Sequence, residues 1–209
     1  MTLQNGKRGK QLVEAVGSLA VAGIAIHFLL PAATLFKLPT VAPVAIAQTS
    51  QALAIYNDGE LTDGYGMGVD TGPSQLRDWA KVQGDGSLCM AYPPNQDWGA
   101  VFITFGGDPK PPRERIGKDF SSYKTLAIDM KGERGGEKVW IGLKDQYDRD
   151  DGSETKIPAS LSSDWKTYTF PFGKFKTADL TKLYVVTEFV FEGDIPAETI
   201  CIKEIEYRR

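Results

Sequence analysis

The stretch Phe120–Asp145, FSSYKTLAIDMKGERGGEKVWIGLKD, holds two strands joined by a glycine-rich turn. A strand turns successive side chains to opposite faces, so a period of two separates a buried side from a wet one. Leu126, Ile128 and Met130 alternate with Thr125, Ala127, Asp129 and Lys131. Past Gly132, Gly135 and Gly136 the alternation resumes, with Val139, Ile141 and Leu143 against Trp140, Gly142 and Lys144. The pattern predicts that Trp140 faces solvent beside Asp129 and Lys144, where a large aromatic suggests recognition.

On the amino-terminal side, Ala54–Tyr56 reads as a short strand ended by Asn57-Asp58-Gly59. Leu61–Pro73 is too rich in glycine for regular structure and reads as a surface loop. Strands follow at Trp79–Val82 and Ser87–Tyr92 around Gly84-Asp85-Gly86, with Leu88, Met90 and Tyr92 inward, and again at Trp98–Phe105. Residues 106–118 have the composition of a long exposed connection, whose Lys110, Arg113, Arg115 and Lys118, with Lys124 beyond, read as a solvated rim. On the carboxy-terminal side, Asp145–Glu154 is an acidic loop. Its register does not suit an EF-hand, because Gly152 falls where Asp148 as first ligand would require a fifth-position donor, so it reads as a solvated turn. Strands return at Trp165–Phe170, Leu183–Phe191 and Thr199–Tyr207, with one helical turn expected at Ala178–Lys182. Roughly eight or nine short strands with regular turn signals argue for an all-β, two-sheet β-sandwich.

The 209 residues are 42% hydrophobic and 24% charged, with net charge -3, which disfavours a nucleic-acid partner. Lys7, Arg8 and Lys10 precede an apolar run, Ala15–Phe36, and Ala45-Ile46-Ala47 is a small-x-small cleavage pattern. The expected organisation is therefore a signal peptide or uncleaved membrane anchor over residues 1–47 and one sandwich domain over 48–209. Either outcome exports the domain to the periplasm, the cell surface or the exterior, with contact to the membrane only through an uncleaved amino terminus.

The succession FSSYKTLAIDMKG, GGEKVWIGLKD, DWKTYTFPFGKF and TICIKEIEY resembles carbohydrate-binding modules of the galactose-binding-domain-like jelly-roll superfamily. The resemblance runs from about Ile55 to Tyr207 and implies a jelly-roll sandwich. In such modules a structural Ca²⁺ is often held by the first aspartate of the last strand. This chain has Lys203 there, followed by Glu204, and an ammonium cannot coordinate a cation. The expectation is no cofactor and no metal, with Lys203 paired to Asp58 or Glu60 in place of the ion.

The only histidine, His27, lies in the targeting segment. A domain without histidine excludes Ser-His-Asp and Cys-His catalysis and imidazole metal sites, leaving carboxylates as the one catalytic chemistry. Glu188 and Glu192 flank Val190 on the outward side of their strand, with Asp129 expected on that face, but outward carboxylates are usually solvated; no catalytic residue is assigned. Binding a glycan asks for an exposed aromatic face and polar groups for the hydroxyls. Trp140, Asp129, Lys144 and Glu188 form the candidate sheet-face site; Trp98 and Tyr147, with Tyr65, form an alternative at the loop end. Trp79 and Trp165 are expected in the core. The favoured reading is a non-catalytic binder of a poly- or oligosaccharide; a structural or protein-interaction factor on the same sandwich is the alternative, and a carboxylate glycoside hydrolase the third. Cys89 and Cys201 are the only cysteines, and in an exported chain they form a candidate disulfide.

Overall fold

The computed structural model describes residues 52–192 and 195–209. The expected targeting segment, its cleavage after Ala47 and His27 lie outside the described residues.

In chain order the strands are β1 (Leu53–Asn57), β2 (Glu60–Leu61), β3 (Tyr65–Gly72), β4 (Ala80–Val82), β5 (Leu88–Tyr92), β6 (Trp98–Phe105), β7 (Thr125–Gly132), β8 (Lys138–Asp145), β9 (Lys156–Ser160), β10 (Lys166–Pro171), β11 (Leu183–Glu192) and β12 (Glu198–Arg208). The Leu180–Lys182 segment makes the one 3₁₀ turn expected near there, capped by Asp179, which accepts from Thr181 N–H. One sheet runs β10-β7-β12-β1-β2, with β5 also on β12 and β4 on β5; the other runs β3-β6-β11-β8-β9. Every strand pair in both sheets is antiparallel.

The decisive alternation is correct about its inward residues but not about all its outward ones, since Ala127 and Lys144 are only 2% and 6% exposed. Leu126, Ile128, Met130, Val139, Ile141 and Leu143 are all 0% exposed. The turn between them does something the alternation does not specify, because β7 and β8 belong to different sheets. Residues 133–137 are a crossover. Buried Glu137 fixes it by accepting the Arg134 N–H at 2.7 Å, with its carboxylate against Gly132, where a Cβ would clash. The core between the layers includes the stacked pair Tyr92–Phe191, with Trp79 edge-on to both, and Tyr207 surrounded by Phe120, Tyr123 and Phe172.

Two segments depart from the sequence reading. Leu61–Pro73 is not a loop, since Tyr65–Gly72 forms strand β3 on β6, and Lys156–Ser160 adds strand β9. Glycine normally weakens a strand, but here Gly66, Gly68 and Gly72 face outward and are covered: Gly66 by the backbone of Gly107, Gly68 by Phe102, Gly72 by Trp98. Tyr65 faces inward against Phe105, which removes it from any loop-end site. Cys89 and Cys201 stand opposite each other on β5 and β12 and are joined by a disulfide.

Candidate functional site

The outer face of the β3-β6-β11-β8-β9 sheet carries a groove of about 770 Å³. Its floor is apolar: Ala100 from β6, Val190 and Val185 from β11. The axis follows β6 and β11, from Trp98 and Glu192 at one end to Tyr184, Lys110 and Arg115 at the other.

Two aromatic rings form one wall. Trp98 and Phe102 sit on the same side of β6, opposite Gly72 and Gly68 of β3 in register. A Cβ on Gly72 would come within 2.3 Å of Trp98 Nε1, and one on Gly68 within 2.3 Å of Phe102 Cζ. The rings therefore rest on bare glycine backbone, as a ring beside a larger residue could not. Trp98 remains 43% exposed.

A buried ionic network forms the other wall. Lys144 Nζ lies 3.4 Å from Glu154 Oε2 and 3.6 Å from Glu188 Oε1, and Lys156 Nζ lies 3.2 Å from Glu154 Oε1 and 3.0 Å from Glu192 Oε2. Glu188, Lys144 and Glu154 are each under 8% exposed. Burial pushes the Glu188 carboxyl up to about 7, Lys144 and Lys156 opposing the rise and Glu154 adding to it. Burial acts to lower Lys156, but hydrogen bonds to Glu192 and Glu154 and their charges outweigh it and raise its pKa. Glu188 Oε2 lies buried without a hydrogen bond, against Gly142, where a Cβ would be 2.9 Å away.

Of the residues singled out from the sequence, Trp98, Lys144, Glu188 and Glu192 line this groove together. Trp140 lies half-buried on the same face, between Val190 and Pro158 in register, but does not line the groove. The Lys156–Glu192 ion pair, reaching from β9 to β11, crosses β8 at its level. Tyr147 is 69% exposed in the loop after β8, under the Lys182 ammonium, and is also outside the lining. Asp129 does not share this face: it is on β7 of the other sheet, accepting from Thr167 of β10. Trp165 is not core; it is half-buried on that opposite face, with Lys131 and Lys203 ammonium groups 4.9 and 5.0 Å from its ring centroid. Lys203 is thus engaged by an indole, not by Asp58 or Glu60.

The residues missed were Phe102, Arg115, Glu154, Lys156 and Tyr184. Phe102 carried a signal in the outward series Trp98, Ala100, Phe102 of WGAVFITF. Arg115 carried none: read as rim, its side chain is 6% exposed and ion-paired to Asp150 at 2.6 Å.

Against protein-family models, residues 52–209 match the family described as carbohydrate binding domain 30. The chain belongs to that family. Its function is carbohydrate binding, and its two sheets are the jelly-roll sandwich of such modules. The family 30 module of the cellulosomal cellulase Cel9D-Cel44B of Clostridium thermocellum is similar at TM-score 0.52 and 18% identity, over 75% of this chain and 96% of that one. A family 11 module from Clostridium thermocellum, in complex with a β-1,3-1,4-mixed-linked tetrasaccharide, is similar at TM-score 0.50 and 14% identity, over 75% and 95%. A mutant of the family 29 module CBM29-2, complexed with mannohexaose, reaches TM-score 0.50 and 16% identity over 76% and 91%. These solved structures share the fold. No curated protein matches this family 30 module in sequence.

Proposed function

We propose that this module binds a neutral, β-linked hexose polysaccharide along the β6–β11 groove and performs no chemistry on it. The observation that carries the reading is Trp98, backed by Gly72 and still 43% exposed at the mouth of an apolar-floored groove. The C–H face of a pyranose packs on such a ring, while the opposite wall offers carboxylates and ammonium groups to its hydroxyls. An acceptor buried without a partner costs about 1–3 kcal/mol. A hydroxyl that reached Glu188 Oε2 would recover that cost on binding. The mixed-linkage glucan and mannan ligands of the similar modules agree with this class. The lining is rich in carboxylates, Asp70, Asp97, Asp150, Asp151, Glu154, Glu188 and Glu192 against Lys110, Arg115, Lys144 and Lys156, which disfavours uronic-acid polymers.

Glycoside hydrolysis needs a carboxyl pair facing the scissile bond with water between or a nucleophile free to attack. Glu188 and Glu154 instead share the ammonium of Lys144 in a buried network, which supports a binding role. We also place the module outside the cytoplasm; the disulfide and the apolar amino-terminal run support that reading.

Affinity electrophoresis through gels containing mixed-linkage β-glucan, galactomannan, xylan or polygalacturonate tests the assignment. Retardation is expected in the glucan or mannan gels, with no reducing ends released on incubation. Retardation in polygalacturonate alone, or release of reducing ends, contradicts it.

A further inference from the structure

We propose that Ile116 and Tyr147 form an auxiliary platform beyond the Tyr184 end of the groove, on which a long polysaccharide chain packs where it leaves the groove. This rests on the sugar-binding reading of the groove and concerns two residues that the groove itself does not include.

Among the described residues, Ile116 and Tyr147 are the most exposed of the large apolar side chains, at 71% and 69%. They come from different loops, those after β6 and β8, yet the loops hold them together. Arg115 Nη1 donates to Asp148 O at 3.0 Å, and Gly117 N–H donates to Gln146 Oε1 at 2.6 Å. The residues before and after Ile116 are thus tied to the residues after and before Tyr147, which brings Ile116 alongside Tyr147. One exposed apolar residue is ordinary, but two large ones held side by side on tethered loops form a patch.

The patch prolongs the groove axis. Tyr184 is the groove residue nearest the start of β11, and the Arg115 guanidinium, 5.0 Å from its ring centroid, leads directly to Ile116. Leu183 is extended, with φ -61° and ψ 133°, so Lys182 falls on the same side of the chain as Tyr184. The Lys182 ammonium lies 5.2 Å from the Tyr147 ring centroid. Backbone bonds fix the three segments there: Lys118 and Leu183 exchange both hydrogen bonds, at 2.9 and 3.0 Å, and Gln146 N–H donates to Lys182 O at 3.0 Å. Pro109, Lys110, Asp150, Asp151 and Gly152 around this end are all exposed, so a chain can pass out of it. Its path runs from Trp98 over Val190 and Val185, past Tyr184 and Arg115, to Ile116 and Tyr147.

The chemistry repeats that of the Trp98 end. A ring and a branched aliphatic side chain offer apolar surface to the C–H face of a pyranose, and Lys182 offers an ammonium to its hydroxyls. A single cation covers one face of a ring and leaves the other open, whereas Trp165 is met by two ammonium groups and is half-buried. From Glu192 to Tyr184 the strand spans roughly 26 Å at about 3.3 Å per residue. A short oligosaccharide is therefore held inside the groove, and only a longer chain reaches Tyr147.

The test compares chain lengths. Isothermal titration of the intact protein uses two pairs of probes, cellotetraose with a long mixed-linkage β-glucan fraction and mannotetraose with a long galactomannan. Tyr147→Ala with Ile116→Ser should weaken the affinity per site for the long polymer roughly five- to tenfold and leave the tetraose within twofold. Tyr147→Phe should keep the wild-type affinity for both, because the ring and not the hydroxyl does the packing; a loss as large as that of Tyr147→Ala overturns the stacking role. Unchanged affinity of the double variant for the long polymer overturns the proposal, assigns the patch to another occupant and leaves the sugar-binding reading intact. An equal loss on tetraose and polymer also overturns it, since the substitutions then act through the order of the loops around Arg115. Failure of the wild-type protein to bind any probe overturns both readings. If the double variant loses its thermal transition, Tyr147→Ala alone decides with the same readout.

Discussion

The two outer faces of this sandwich each present a tryptophan, and the groove proposed to receive the ligand belongs to only one of them. On the β6 face, Trp98 rests on Gly72 and looks onto an apolar floor. On the β7 face, Trp165 lies under the ammonium groups of Lys131 and Lys203, in a surface where Asp129 bonds to Thr167. What covers an aromatic ring, and not its exposure alone, separates a recognition surface from a solvated one. The difference originates in the neighbouring strand: glycines beside Trp98 leave room for a ring to lie flat and stay accessible, whereas long charged side chains beside Trp165 fold over it.

The largest effect separating the faces concerns stability. The Cys89–Cys201 bond spans 112 residues of chain on the face away from the groove. Replacing both cysteines by serine should lower unfolding free energy in denaturant by up to about 4 kcal/mol, because a long closed loop is released in the unfolded chain. Affinity for glucan should stay the same, and a loss of affinity would mean that the two faces are coupled.

The groove face should carry the pH dependence nearest neutrality. Glu188 titrates at about 7 in the folded protein against 4.5 for a free carboxyl. Below that window it is neutral in both folded and unfolded chains, and above it charged in both, so its contribution to stability is greatest at low pH and falls as pH rises through the window. The shift corresponds to a fall of about 3 kcal/mol. Glu188→Gln should flatten that part of the stability profile in urea titrations. Persistence of the whole slope in the variant would assign it elsewhere.

Trp98→Ala should weaken glucan binding by about 2 kcal/mol, roughly 30-fold, as buried aromatic anchors do. Trp165→Ala should leave affinity within twofold, measured by titration calorimetry on the same oligosaccharide. The smallest effect tests the glycine support: Gly68→Ala forces Phe102 off β3 and should cost about 1 kcal/mol of affinity, roughly fivefold, with Trp98 still in place.

The sequence reading recovered the layers and lost their pairing, for a physical reason. Alternation in Thr125–Asp145 states which side chains are buried, and all six inward residues are. It cannot state whether two adjacent strands share a sheet. Because the Gly135-Gly136 turn is a crossover, the outward residues of β7 and β8 point to opposite sides of the molecule, and Asp129 parts from Lys144. Glycine carried the second error. Gly66, Gly68 and Gly72 look like a loop until the groups that fill their empty positions are known, the Gly107 backbone and the rings of Phe102 and Trp98, which come from β6 and the turn after it. Lys144 and Glu188 were legible as outward positions of their strands, whereas Trp98, expected at a loop end, stands on β6 at the groove. Glu154 and Arg115 were not legible, since their burial depends on two loops meeting over β11.

Indole N–H resonances of the ¹⁵N-labelled protein, followed while a glucan oligosaccharide is added, give the most direct test. The account predicts that the Trp98 signal moves progressively to saturation while that of Trp165 stays where it was. Movement of Trp165 with Trp98 unchanged would put the sugar on the other sheet.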